Sequence, residues 1–414
     1  MRSHHAGMIT PGFTDHSGPE IISRRQVGDI WHSSGIYHDE IPIFAASALE
    51  QLYASIYCTI ARIGLYESLA GINTFIAMRG QEIHVLILFR VTGSAIRVIN
   101  QQIALGSAEL ETFADAVFAR YEGVRRLEFH ALDACPDCAQ FSYPCQKLAC
   151  LEENVVSFPA TGEEYLTMMS SKTRAMVRKN IRKSRLAYPS YRFEVLVGEQ
   201  ITAEHIAALI GLTDQRMRFK GRASYIASSE TERLAALART YGYMGLIFID
   251  GEICAGSLCY GVGSRHFAHL IGHDPRYNSH GLGIQVSVQT AFHSIAAGAT
   301  ELWMMGGRRE EKARFLARCR MLDRVIVYRS RRAALLSWRR YLGMHAGQRL
   351  VALRAWIDER TTQPDPAARV LREVLGIARR ARLLWRQAHL AVLGAGASAT
   401  RFRRDEAPRG RPPH

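Results

Sequence analysis

The stretch HFAHLIGHDPRYNSHGLGIQVSVQTAF, His266–Phe292, decides how this chain is read. Its first part reads as a strand that ends near His273. A short run rich in Asn, Ser and Gly follows. From about Gly281 the pattern turns helical, with Leu282, Val286, Gln289 and His293 a turn apart. A helix that starts there exposes N–H groups without intrahelical partners and the positive end of its dipole, which suits a phosphate. Gly281 and Gly283 have no Cβ, so a bulky anion can come close to the backbone. The plainer alternative is a helix with a Gly-rich entry and no ligand.

Working outward, Glu230–Arg239 reads as a helix and Met244–Ile249 as a strand. Asp250-Gly251 is a strong hairpin turn, and Ile253–Tyr260 and Arg265–Ile271 are further strands. The helix Gly281–Ala297 and the strand Thr300–Met305 complete an α-β-β-β-α-β order. The same order appears about 170 residues earlier, a spacing too long for a solenoid repeat. There it runs Ala46–Arg62, Asn73–Met78, Glu82–Phe89, Ala95–Ile99, Ala108–Tyr121 and Arg126–Ala131. The second copy is fuller. Helices at Glu163–Ala187 and Ala203–Phe219 and a strand at Tyr191–Val197 precede it, and Glu310–Cys319 (helical) and the strand Arg324–Tyr328 follow. Glu152–Thr161 reads as the junction. The loop before the helix of the first copy, Asn100–Ser107, has one glycine, Gly106, and makes a poor phosphate cradle.

Charge is unevenly spread over the 414 residues, whose formal net charge is +15. Residues 331–414 hold 18 Arg, no Lys and 6 acids, and residues 170–193 hold 8 basic residues and no acid. The remainder is mildly acidic, as expected of an ordinary enzyme body. Hydrophobic content of 48% excludes a wholly disordered chain. No apolar run is long enough to span a bilayer, and no secretory leader is visible at the N-terminus, so a cytoplasmic setting is expected. Residues 1–40 read as a loosely ordered lead-in. Cys135, Cys138, Cys145 and Cys150 are spaced so that they could hold a structural zinc; otherwise they are ordinary loop cysteines with free thiols.

The loop Asn278-Ser279-His280-Gly281-Leu282-Gly283 resembles the Arg/Gln-x-x-Gly-x-Gly/Ala loop of the GNAT N-acyltransferases, with Asn278 where Arg or Gln is usual. Gly298–Phe315 and the basic helix Ser171–Leu186 resemble the CelD-type branch of cellulose and exopolysaccharide loci, which has a FemAB-like double GNAT fold. Lys312 and Phe315 match that branch; Met304 and Glu311 depart from it. The resemblance spans about Ile41–Ser330. It implies an α/β fold of two GNAT-like domains, each a mixed, mostly antiparallel sheet flanked by helices, with an Arg-rich helical C-terminal extension. The expected division is a degenerate first domain at 41–157, an acyltransferase domain at 158–330, a basic helical extension at 331–392 and a disordered tail at 393–414.

The resemblance implies a bacterial acyltransferase that moves an acetyl or longer acyl group from acyl-CoA to an amine or hydroxyl acceptor, with no metal. Ile271, Asn278, Ser279, His280, Gly281, Leu282, Gly283 and Ile284 would hold the acyl-CoA. An acceptor amine must lose a proton and the thiolate must be stabilised. His273 and Asp274, at the end of the strand, are the candidate bases; alternatively Asp274 caps the turn with Pro275 and His273 is solvated. Lys312 resembles the lysine placed near the carbonyl or an anionic acceptor in FemAB-like transferases. Tyr277 or Tyr260 could protonate the thiolate. Arg174, Arg178 and Arg182 share a face of the basic helix and suit an anionic acceptor; otherwise they form a solvated face. The Arg-rich tail is amphipathic and fits an anionic membrane surface, which would place the enzyme peripherally at the inner membrane; a partner protein or packing on the domain are its other readings, with nucleic acid disfavoured. The rival functions are a FemAB-like transferase that uses charged tRNA and a non-catalytic scaffold of a polysaccharide synthase.

Overall fold

In the computed structural model, residues 18–27, 30–133, 138, 141–219, 226–306, 312–338 and 343 are described. One 13-stranded sheet runs through both halves. The first half contributes β1 (Glu20–Val27), β2 (Ile30–Tyr37), β3 (Asn73–Arg79), β4 (Glu82–Thr92), β5 (Ala95–Val98), β6 (Arg126–Leu132) and β7 (Cys145–Ser157). The second contributes β8 (Arg192–Val197), β9 (Gly242–Ile249), β10 (Glu252–Val262), β11 (Arg265–His273), β12 (Glu301–Trp303) and β13 (Arg318–Tyr328). Their order across the sheet is β1-β2-β3-β4-β5-β6-β13-β7-β12-β11-β10-β9-β8. Neighbours pair antiparallel except at β5–β6 and β11–β12, which are parallel.

The centre of the sheet is an exchange. The late strand β13 pairs with β6 of the first half, and β7 lies between β13 and β12 of the second. The two expected sheets therefore merge into one. The described residues up to Ser337 form a single unit. Each half keeps its own helices. In the first, α1 (Ala45–Tyr53), α2 (Ile60–Tyr66) and α3 (Ser107–Arg120) surround a core in which the ring of Phe113 meets Phe75, Phe89 and Phe129. In the second, α6 (Ala203–Phe219) and α7 (Thr231–Tyr241) cover one face. α4 (Gly162–Met168), α5 (Ser171–Ala187) and α8 (Leu282–Ala296) cover the other. β9 is buried along its whole length, which explains its nearly unbroken apolar sequence.

Several sequence expectations need correction. Residues 20–37 of the supposed lead-in form the β1–β2 hairpin, because β2 finds the open edge of β3. The expected helix Ala46–Arg62 breaks at Ala54, which takes a left-handed backbone (φ 45°). The expected helix Glu163–Ala187 is two helices, since Ser170 caps α5 by accepting from the Thr173 N–H. The junction Glu152–Thr161 is largely strand, because β7 runs on to Ser157 against β12. Arg318 and Cys319, read as helical, open β13, where pairing with Val155 and Asn154 claims them.

Cys138 and Cys145 are joined as a disulfide, with Cα atoms 5.5 Å apart; Cys150 is a free thiol and Cys135 lies outside the described residues. Among the described residues no group of three or more His, Cys, Asp or Glu side chains is placed to hold a metal, and no helix is long and apolar enough to cross a membrane. Of the basic extension, α9 (Arg331–Leu336) is described; nearly all the rest, and the tail, lie outside the described residues.

Candidate active site

β11 and β12 run side by side for three residue pairs only, Arg265–Glu301, His266–Leu302 and Phe267–Trp303. Beyond them the strands part. β11 continues to His273, while the chain after β12 turns away at Met304–Gly306. There the Met304 N–H donates to the Asn154 carbonyl and the Asn154 amide donates to the Met305 carbonyl at 3.0 Å. In the resulting fork lies a cavity of about 390 Å³. Ala268, Leu270 and Ile271 of β11, Ser287, Thr290 and Ala291 of α8, and Met304, Lys312 and Phe315 line it, with Arg216 at the end of α6. Its walls are mostly apolar with a few polar groups, the usual makeup of a ligand site.

The loop between β11 and α8 sits at the outer end of this fork. Asp274, 5% exposed, accepts from the Arg276 N–H (2.8 Å) and from the Arg276 guanidinium (2.7 Å). Burial would raise its pKa, but the Arg276 hydrogen bonds and charge outweigh that and hold the carboxyl below the usual range. Asp274 is thus a turn clamp, locked away from any proton. The His273 ring meets Asn278 Oδ1 at 3.0 Å and lies beneath Gly283, where a Cβ would come within 2.7 Å of Nδ1. Gly281 has φ +64°, and a Cβ on it would meet the Asn180 amide of α5 at 2.5 Å. Both glycines are therefore required by geometry. α8 starts immediately after, so its first N–H groups lack intrahelical partners. Leu282 points inward and is fully buried. Lys183 of α5 donates to the Ser279 carbonyl (3.0 Å), and the Ser279 hydroxyl meets His280 Nδ1 at 3.2 Å. Gln285 donates to the His280 carbonyl and to Ser184. Ile284 follows, half-buried in the first turn and packed against the core around α4 and α5.

Lys312 donates to the carbonyls of Met304, Met305 and Gly306 at 2.6, 2.6 and 2.7 Å. An ammonium has three donors, so these bonds tie down the turn that shapes the fork. Across β11 from the cavity is a much smaller void between the halves, lined by Tyr57 and Arg62 of the first half and Tyr260, Phe267 and Trp303 of the second. Ala268, His269 and Met305 border both spaces.

Sequence reasoning missed two groups here. His269 stays neutral: burial, reinforced by the charge of Arg62, takes its pKa down to about 4. Glu153 of β7, 3% exposed, lines the small void. Its carboxylate accepts from Gln102 Nε2 at 3.1 Å and faces the Met305 backbone N–H. Burial pushes its pKa up to about 7, against the opposing charge of Lys312. The fork thus brings together Ile271, Lys312 and His269, while Glu153 lies in the adjoining small void. His273 and Asp274 stand at the loop, Tyr277 lies within it against Cys254 and Tyr188, and Tyr260 is buried in the wall of the small void. The three arginines do not converge: Arg174 donates to the Thr167 carbonyl, Arg178 pairs with Glu163 at 3.6 Å, and Arg182 lines an open groove on α5.

Residues 171–313 match the family described as Acetyltransferase (GNAT) domain. The fold is similar to that of FemX, with a TM-score of 0.51, 10% identity, and 70% of this chain and 96% of that one covered. L-PGS from Bacillus licheniformis (TM-score 0.42, 15% identity, 74% and 98% covered) is a fainter likeness. So is a tandem GNAT protein from the clavulanic acid biosynthesis pathway (0.35, 10%, 72% and 98%). No curated protein matches the sequence. Residues 171–313 thus match a GNAT domain within a fold similar to that of FemX, and the family match supports an acyltransferase in general terms.

Proposed function

We propose that this protein transfers an acyl group from acyl-CoA to an amine. The observation that carries this is the fork cavity, whose lining residues Ile271 and Ser287 lie two residues before His273 and one helical turn after Gly283: a phosphate-suited helix start stands beyond one end, and the mostly apolar space leads inward to His269. The diphosphate would meet the first N–H groups of α8, and the pantetheine arm would run between β11 and α8 past Ile271 and Ser287. The thioester would then lie where the two spaces meet, at Ala268, His269 and Met305.

The acceptor nitrogen would reach the thioester from the side of the small void, where Glu153 lies. As the amine nitrogen bonds to the acyl carbon and the carbon–sulfur bond breaks, Glu153 takes the amine proton and the departing CoA thiolate picks it up; a carboxyl near pKa 7 is partly ionised at neutral pH and basic enough to act. Lys312 is a positioning residue that holds the Met304–Gly306 turn and favours the ionised form of Glu153. His273 supports the loop from below. An acetyl donor and an exopolysaccharide-linked acceptor are supported by the resemblance carried by Ser171–Leu186 and Gly298–Phe315.

The test is release of CoA from acetyl-CoA in the presence of a panel of primary amines, with the full chain and with Ser287→Trp, which fills the fork. The account expects acceptor-dependent release that the substitution abolishes. Release that is absent for every amine, or equal in both proteins, contradicts it.

A further inference from the structure

The basic helix α5 has an uneven distribution of partners. Arg174 and Arg178 turn toward α4 and are engaged there. Lys179, Arg182 and Lys183 instead line an open groove of about 550 Å³ with Leu186 and Ala187. Among the described residues, no carboxylate lies within ion-pair distance of these three cations, and no acid occurs between residues 170 and 193. Leu186 stands 73% exposed among them, an apolar platform inside a cationic patch.

The groove is tied to the loop. Lys183 reaches the Ser279 carbonyl, Asn180 lies against Gly281, and Ser184 bonds Gln285 in the first turn of α8. Tyr188, one turn on, packs its ring on Tyr277 and His280. A diphosphate held at the start of α8 would therefore leave the rest of its nucleotide beside this groove. Three cations without acidic partners suit a phosphomonoester, and an exposed leucine suits the face of a heteroaromatic ring.

We infer that Lys179, Arg182 and Lys183 bind the 3′-phosphate of the coenzyme A nucleotide, with Leu186 beneath its adenine. This rests on the acyl-CoA reading and assigns the basic helix to the donor rather than to an anionic acceptor.

The test compares binding of CoA and 3′-dephospho-CoA to the full chain by titration calorimetry, with the native sequence and with Lys179→Ala/Arg182→Ala. Both substitutions are on an exposed helix face, and far-ultraviolet circular dichroism checks that the fold is kept. The native chain should bind CoA about ten-fold tighter than 3′-dephospho-CoA, with a ratio that shrinks as salt is raised. The double variant should bring the two ligands within about two-fold by weakening CoA alone. Equal binding of both ligands by the native chain, or an unchanged ratio in the variant, overturns the inference while leaving the acyl-CoA reading intact. Binding of neither ligand overturns that reading itself, as does retention of a charged tRNA by a chain that ignores CoA.

Discussion

Glu153 shows what a single side chain can carry. In sequence it falls in Glu152–Thr161, which reads as the junction between the halves. Only the placement of β7 between β12 and β13 buries the carboxyl, so its role was not legible from composition or spacing; the apolar run Val155–Val156 was the one local hint of a covered strand. A carboxylic acid with a raised pKa binds more protons folded than unfolded between the ordinary value of 4.5 and about 7. Stability therefore falls as pH rises through that window, by up to about 3 kcal/mol, and levels off above it. In Glu153→Gln that slope should vanish from urea melts taken between pH 4.5 and 8. Amine-dependent CoA release should rise with pH through about 7 in the native protein; the variant should lose about 100-fold or more and show no such rise. Lys312 lowers the Glu153 pKa, so Lys312→Met should move the activity limb to higher pH, a shift that damage to the turn alone would not produce. Lys312 was legible as a residue of interest from the resemblance, yet its three carbonyl partners were not.

At the scale of elements, the β11–loop–α8 unit was the most readable part of the chain. The change from strand to helical period, and two glycines at the crossing, fixed its course to within a residue or two. The clamp of Arg276 on Asp274 was hidden because a Pro-Arg pair after Asp reads simply as a turn. The breaks at Ala54 and Ser170 were hidden for another reason: apolar spacing continues across both, and only cap geometry interrupts the helix. Gly281→Val would place a branched side chain at φ +64° against Asn180. It should cost about 1–3 kcal/mol of stability and weaken CoA binding further than Gly106→Val, at the poorer loop of the first copy. Melting midpoints and CoA titrations of the two variants check this.

Across the whole molecule, the duplicated order of elements was legible but the exchange of strands was not. Pairings between residues about 180 apart, such as Val325 with Lys147, leave no local pattern. That exchange makes the halves share one sheet. Charges reinforce the seam: Asp133 of the first half pairs with Arg320 at 3.0 Å and lies 3.7 Å from Arg265, and both arginines also reach Glu301. The halves should accordingly unfold together. Phe113→Ala, in the core of the first half, should cost about 3–5 kcal/mol and lower one common thermal transition. A calorimetric trace in which the second half melts unchanged would speak against a shared unit.

The central claim is that the fork between β11 and β12 holds acyl-CoA, and titration of the full chain with acetyl-CoA tests it most directly. One saturable site, lost in Ser287→Trp while the variant's circular dichroism is unchanged, is the predicted result. Absence of binding, or binding unaffected by filling the fork, would contradict it.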